Sequence, residues 1–214
     1  MNTLLLPLLL LACPDPTKDK APAVVTEAVA PPAPAPAPPA TAAAPTDAPW
    51  RAATGTVGFQ GAKVTKTHDG TFGDATLSAQ FTAGALSAIK AEVKIASLKT
   101  DAVKLDAHLL SPDFFDAAAM PVATFQSTAI VAGAPAGSPL AGATHTLEGD
   151  LSIHGVTKHI TVPAVITTVP GGVQASTEFS IQRQDFGISY PGKPDDLIAD
   201  GVLIRVTMSA SDAG

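Results

Sequence analysis

The chain has 214 residues, a formal net charge of −6 and a pI near 5.2; 46% of its residues are hydrophobic and only 5% aromatic. That length supports one domain with a sizeable core, and mild acidity without clustered Lys and Arg excludes a nucleic-acid surface. The single cysteine, Cys13, leaves the body of the protein without an internal disulfide or a cysteine-ligated metal or redox site.

At the start, Leu4 to Ala12 form an apolar run. It is too short to span a bilayer, which takes about 20 residues, and suits the core of a signal peptide. It ends in Leu10-Leu11-Ala12-Cys13, which resembles a bacterial lipobox. The resemblance implies a signal peptide over 1–12, acylation of Cys13 and a membrane anchor made of several acyl chains. Pro14, rather than an aspartate, follows Cys13; by resemblance to the enterobacterial sorting rule this favours the outer membrane, facing the periplasm. Residues 13–49 then read as the lipidated cysteine plus a Pro/Ala-rich disordered linker, since such a segment cannot bury a core and lacks a donor at every proline. Its expected role is spacing, with a reach on the order of 100 Å if fully extended.

Residues 50–214 read as the folded domain. Eight candidate strands fall at about 54–64, 71–83, 85–97, 122–132, 144–153, 157–169, 172–183 and 200–210. Val173, Ala175, Thr177, Phe179 and Ile181 share one face against Gln174, Ser176, Glu178, Ser180 and Gln182. The same alternation separates Leu147, Leu151 and Ile153 from Glu148, Asp150 and Ser152, and Val202, Ile204, Val206 and Met208 from Leu203, Arg205 and Thr207. Turn chemistry is expected at His68-Asp69-Gly70, His154-Gly155-Val156 and Pro170-Gly171-Gly172. Between the third and fourth strands, Asp113 to Ala119 reads as one short helix, with Ser111 or Asp113 as its N-cap. The fold class is therefore all-β: an eight-stranded antiparallel up-and-down barrel, a size that closes around one small ligand. The inward face mixes large residues with Ala79, Ala91, Gly149, Ala164 and Ala175, which favours a hollow interior over a filled one.

Four stretches, in order, resemble the YceI-like family of lipocalin-like periplasmic proteins that bind polyisoprenoid lipids. They are VGFQGAKVTKTHDGTF, HLLSPDFFDAAAMPVATFQST, LEGDLSIHGVTKHITVPA and FSIQRQDFGISY. The resemblance spans roughly 54 to 210. It implies a binding protein without catalysis, whose barrel holds a long isoprenoid chain such as that of a quinone or a prenyl phosphate. No cofactor is implied beyond that bound lipid.

The candidate tunnel-lining residues are Phe59, Leu77, Phe81, Val93, Phe125, Leu151, Phe179, Ile181, Ile204 and Val206. Phe114 and Phe115 are expected at the mouth, plugging the core or touching the ligand, and Phe186 belongs to the ArgxAspPheGly corner. Arg183 has the parity of Phe179 and Ile181, so it points inward and needs a partner. Asp185, Asp200 and an anionic headgroup are the candidates. The five histidines, His68, His108, His145, His154 and His159, show no metal-ligand spacing, and no GxSxG context surrounds Ser127, Ser152 or Ser180. The competing readings are a structural or stress-linked envelope protein acting through a protein partner, and an enzyme on isoprenoid substrates, for which no polar constellation is visible. Dimerisation is left open.

Overall fold

The computed structural model describes residues 15–27 and 48–212. In chain order its elements are β1 (Val24–Glu27), β2 (Arg51–Lys63), β3 (Lys66–Phe72), β4 (Ala75–Thr82), β5 (Ala85–Lys94), β6 (Leu98–Thr100), α1 (Val103–Leu109), β7 (Val122–Ala132), β8 (His145–Ile153), β9 (Val156–Val169), β10 (Gly172–Gln182), β11 (Gly192–Lys193), β12 (Asp196–Leu197) and β13 (Gly201–Ser211). Strands β2, β4, β5, β7, β8, β9, β10 and β13 follow one another around a barrel, which closes where Leu203↔Gln60 through Ala210↔Ala53 join β13 to β2. β3 prolongs the β4 stave along β2, and β6 prolongs β5 along β3 after a 3-10 turn at Ile95–Ser97. The eight-stave antiparallel barrel is the expected architecture.

Two hairpin turns fall where expected. His154 and Gly155 both take left-handed backbone (φ 51° and 74°), the pair of conformations that a two-residue turn between twisted strands requires. Gly171 does the same after Pro170 (φ 76°). The third differs. Residues 68–70 lie inside β3, and the chain reverses instead at Val64-Thr65. That turn is held from outside: the Thr65 amide and hydroxyl both donate to Asp196 Oδ1 (3.1 and 2.9 Å), and Lys63 pairs with the same carboxylate. Gly70 serves packing rather than turning, because the Phe59 ring lies where its side chain would be.

The short helix is α1, ahead of the expected 113–119. Residues 112–119 make successive turns that fold back on α1: the Phe115 amide donates to the Leu109 carbonyl (3.0 Å), and that of Ala117 to Leu110 (3.0 Å). Asp116, at φ 45°, interrupts any helix there, and neither Ser111 nor Asp113 caps one. A further correction concerns the linker expected to start at Cys13. Residues 15–27 are docked on the barrel, and β1 pairs with β9. Cys13 and residues 28–47 lie outside the described residues.

Candidate functional site

The inward faces of the staves enclose an apolar tunnel of about 170 Å³. That is more than ten times the roughly 10–15 Å³ that one water needs. Thirteen of the fourteen binding candidates meet at this void or its mouth. Phe59, Leu77, Val93, Phe115, Phe125, Leu151, Phe179, Ile181, Arg183, Phe186, Ile204 and Val206 line the tunnel, and Phe114 lines the adjoining vestibule. Phe81 lines neither. The β4–β5 register shifts between Gln80 and Phe81, so the ring leaves the parity of Leu77 and packs on the core near the far end. Phe72, Ile160, Ile188 and Met208 also line the tunnel and were not among the candidates. The parity of 160–164 and 202–208 carried the signal for Ile160 and Met208; Ile188, in a loop, had none.

Two glycines make room for tunnel-lining rings. A Cβ on Gly70 would stand 2.2 Å from Phe59 Cζ, and one on Gly149 2.5 Å from Phe125 Cζ. Of the small residues taken as signs of a hollow, Ala91, Ala164 and Ala175 do line it; Ala79 is buried in the core without lining it, and Gly149 is filled by Phe125.

The mouth lies at the end of the barrel where α1 and the segment after β10 converge. A vestibule of about 250 Å³ there shares Phe59, Phe115, Arg183, Ile188 and Val202 with the tunnel. Phe114, 6% exposed, packs edge-on to His108 (5.0 Å between centroids) and against Tyr190 (5.3 Å). Phe115 meets Phe72 edge-on at 6.4 Å. Buried Asp106 ties α1 to β6 by accepting from the Thr100 amide and hydroxyl, both at 2.7 Å. The hydroxyl bond above all, then the amide bond, holds its carboxyl below the ordinary range, against the opposing effect of burial.

Arg183 points inward, as its parity implied, and is 6% exposed. Its guanidinium is taken up by main-chain carbonyls: Nη1 donates to Ile188 (2.7 Å), Nε to Ala199 (3.1 Å) and Nη2 to Ile198 (3.4 Å). Burial pushes its pKa below the ordinary arginine value, and the nearby charge of Asp200 opposes this. Asp200 also braces the corner by accepting the Gln184 amide on Oδ1 (3.0 Å). Asp185 is exposed. Arg183 thus pins the loop 188–199 to the end of β10, with its charge satisfied by the protein.

Three of the vestibule's other ionisable side chains are matched similarly. Lys63 pairs with Asp196, His68 with Asp101 (2.6 Å) and His108 with Asp113 (3.0 Å). His159 bonds Asp150 (2.8 Å) and His145 bonds Thr144 (2.8 Å), both away from the tunnel lining. Among the described residues, no group of three or more His, Cys, Asp or Glu is placed to hold a metal ion.

A closed antiparallel barrel around a continuous apolar tunnel, with a small helix at its mouth, defines a lipocalin-like fold. Within that class the chain belongs to the YceI-like domain family, whose pattern matches residues 50–210. It is 37% identical over 125 residues to a "UPF0312 protein" of Pseudomonas savastanoi pv. phaseolicola, covering 56% of this chain and 62% of that one. The chain therefore spans less than two-thirds of the length of the curated relatives it first matches. Among solved structures, BcnA of Burkholderia cenocepacia superposes with a TM-score of 0.63 at 23% identity, over 73% of this chain and 96% of its own. A polyisoprenoid binding domain from Saccharophagus degradans, implicated in plant cell wall breakdown, superposes at 0.60 with 16% identity, over 77% and 98%. At these identities the likeness is one of fold.

Proposed function

We propose that this protein binds a long isoprenoid lipid, such as a quinone or a prenyl phosphate, along its tunnel and serves as a carrier or reservoir without catalysing a reaction. The observation that carries this reading is the tunnel itself, which is closed around its circumference and walled by apolar side chains. An isoprenoid tail offers only methyl and methylene surface, so its burial at about 25 cal/mol per Å² supplies affinity without polar precision. The polyisoprenoid-binding description of a protein with the same fold supports the reading. Cys13 is the proposed acylation site, following a signal peptide over 1–12, which would tether the protein to the envelope, at the outer membrane facing the periplasm. With residues 15–27 docked, such an anchor holds the barrel close to the bilayer rather than at the end of a long spacer.

Native mass spectrometry of the full chain purified from a bacterial host, followed by organic extraction, tests this. A co-purified isoprenoid is the expected result. A clean apo mass, with no uptake of added decylubiquinone or geranylgeranyl phosphate, would overturn it and favour action through a protein partner.

A further inference from the structure

β9 and β10 form a regular ladder only from Gly172↔Val169 to Ser176↔Val165. Continued, that register would set Pro163 opposite Glu178. Pro163 has no N–H to give, and its carbonyl instead takes the Thr177 hydroxyl at 2.7 Å. Beyond this fork the two strands part, and residues 21–27 lie between them. β1 pairs with β9 from Val24↔Thr161 to Glu27↔Lys158. On the other side, the Ser180 amide donates to the Ala21 carbonyl (2.7 Å) and the Ala23 amide to the Ser180 carbonyl (2.8 Å). Lys20 secures the end of the segment on Glu178 (2.7 Å), whose other oxygen accepts from Arg205 (2.8 Å).

Both banks of this slot are tunnel walls: Ile160 and Val162 on β9, Phe179 and Ile181 on β10. The occupant is a short stave: its ladder to β9 runs for 4 residues, whereas β10 and β13 pair from Gly172↔Ser211 to Gln182↔Gly201, and of the other neighbouring staves only β2 and β4, from Arg51↔Ala79 to Ala53↔Leu77, share a shorter one. In the chain, residues 28–50 separate it from β2, far more than the two residues that join β8 to β9. The side chains it turns to the core are small, Ala21, Ala23 and Val25, so little apolar burial holds it. The vacated edges still carry backbone donors and acceptors, which draw a strand back in.

We propose that the β9–β10 slot is a strand-acceptor site, that residues 21–27 are its removable occupant, and that their withdrawal opens a side entrance to the tunnel for the isoprenoid chain. The entrance role rests on the lipid-binding reading above; the removable strand does not. The barrel's end is covered by α1, Phe114, Phe115 and the loop pinned by Arg183, whereas a lateral slit admits a long chain along its length. Cys13 stands two residues before Asp15, so an acyl anchor there brings the slot to the bilayer surface.

The experiment uses the full chain with Val24→Cys and Thr161→Cys, directly paired positions, in a Cys13→Ser background. Uptake of nitrobenzoxadiazole-labelled geranylgeraniol is followed with the pair oxidised and reduced. Oxidation is expected to slow uptake about tenfold or more at unchanged final occupancy, with recovery on reduction. Equal rates in the two forms would overturn the entrance. Hydrogen exchange on the unaltered chain reads the strand without any lipid. The Ala23 and Ser180 amides are expected to exchange about tenfold or more faster than those of residues 165–169. Exchange at the same rate as the 165–169 ladder would overturn the removable strand. Absence of uptake in both forms, with fast exchange retained, would sink the lipid-binding reading and the entrance together and leave the removable strand upheld.

Discussion

The Phe59 ring occupies the place of a side chain on Gly70, its partner across β2 and β3: a Cβ there would lie 2.2 Å from Cζ and 2.3 Å from Cε1. The ring is held flat over the strand and forms part of the tunnel wall. Gly70→Ala must push it aside, and a stability loss of about 1–3 kcal/mol is expected from the overpacking. Gly61→Ala, with nothing within 4 Å of the new methyl, is the control and should be neutral or slightly stabilising. Urea midpoints of the two variants check the pair; equal midpoints would refute the packing role.

Phe114 and Phe115 should separate under substitution. Phe114 is buried among His108 and Tyr190, so Phe114→Ala is expected to cost about 3–5 kcal/mol of stability. Phe115 is only partly buried and faces both tunnel and vestibule. Phe115→Ala should cost less stability and speed release of a bound isoprenoid about tenfold, equivalent to about 1.4 kcal/mol of lost contact. Stopped-flow release into vesicles measures this, and an unchanged rate would remove Phe115 from the mouth.

Arg183→Met strips donors from the carbonyls of Ile188, Ala199 and Ile198. The Ile188 carbonyl is buried and the other two are half-buried; a buried carbonyl left without a partner costs about 1–3 kcal/mol, so a loss of about that size is expected by chemical denaturation. Because the guanidinium is already engaged, affinity for a quinone and for a prenyl phosphate should change alike. A selective loss for the phosphate would assign Arg183 to the headgroup.

The docking of residues 15–27 should depend on pH through Glu178. Hydrogen bonds from Lys20, then from Arg205, lower its carboxyl pKa below the ordinary glutamate value. A group depressed in the folded state contributes stability that is complete above its unfolded pKa, about 4.3, and is lost as pH falls through the lowered folded value. Limited proteolysis by an acid-active protease should therefore leave the segment protected at pH 5–7 and release it first as pH drops below about 4. Glu178→Gln should loosen the segment at pH 5–7, where the parent carboxylate is charged, match the parent at acid pH and so flatten the profile. A segment that is cleaved equally across that range in the parent chain would dissociate docking from this ion pair.

Much of the barrel was legible because strand alternation is local. The faces holding Phe179 and Ile181, Leu147 and Leu151, and Ile204 and Val206 could each be read from consecutive residues, and all of them turned inward. Phe81 escaped because a bulge shifts parity, and a bulge is decided by the partner strand. The helix was expected at 113–119, with Ser111 or Asp113 as its N-cap. The chain there satisfies its amides on the end of α1, a competition that no single segment displays.

By itself, then, the sequence determined the all-β class, the number of staves, the inward residues other than Phe81 and the family, since each of these rests on short-range pattern or on motif order. Only the tertiary structure decided where the charge of Arg183 is satisfied, why Gly70 and Gly149 are glycines, and that residues 21–27 complete the wall beside Pro163. Those outcomes depend on groups far apart in the chain, and the donor missing at a proline shows its consequence only when the strand that would have received it is in place.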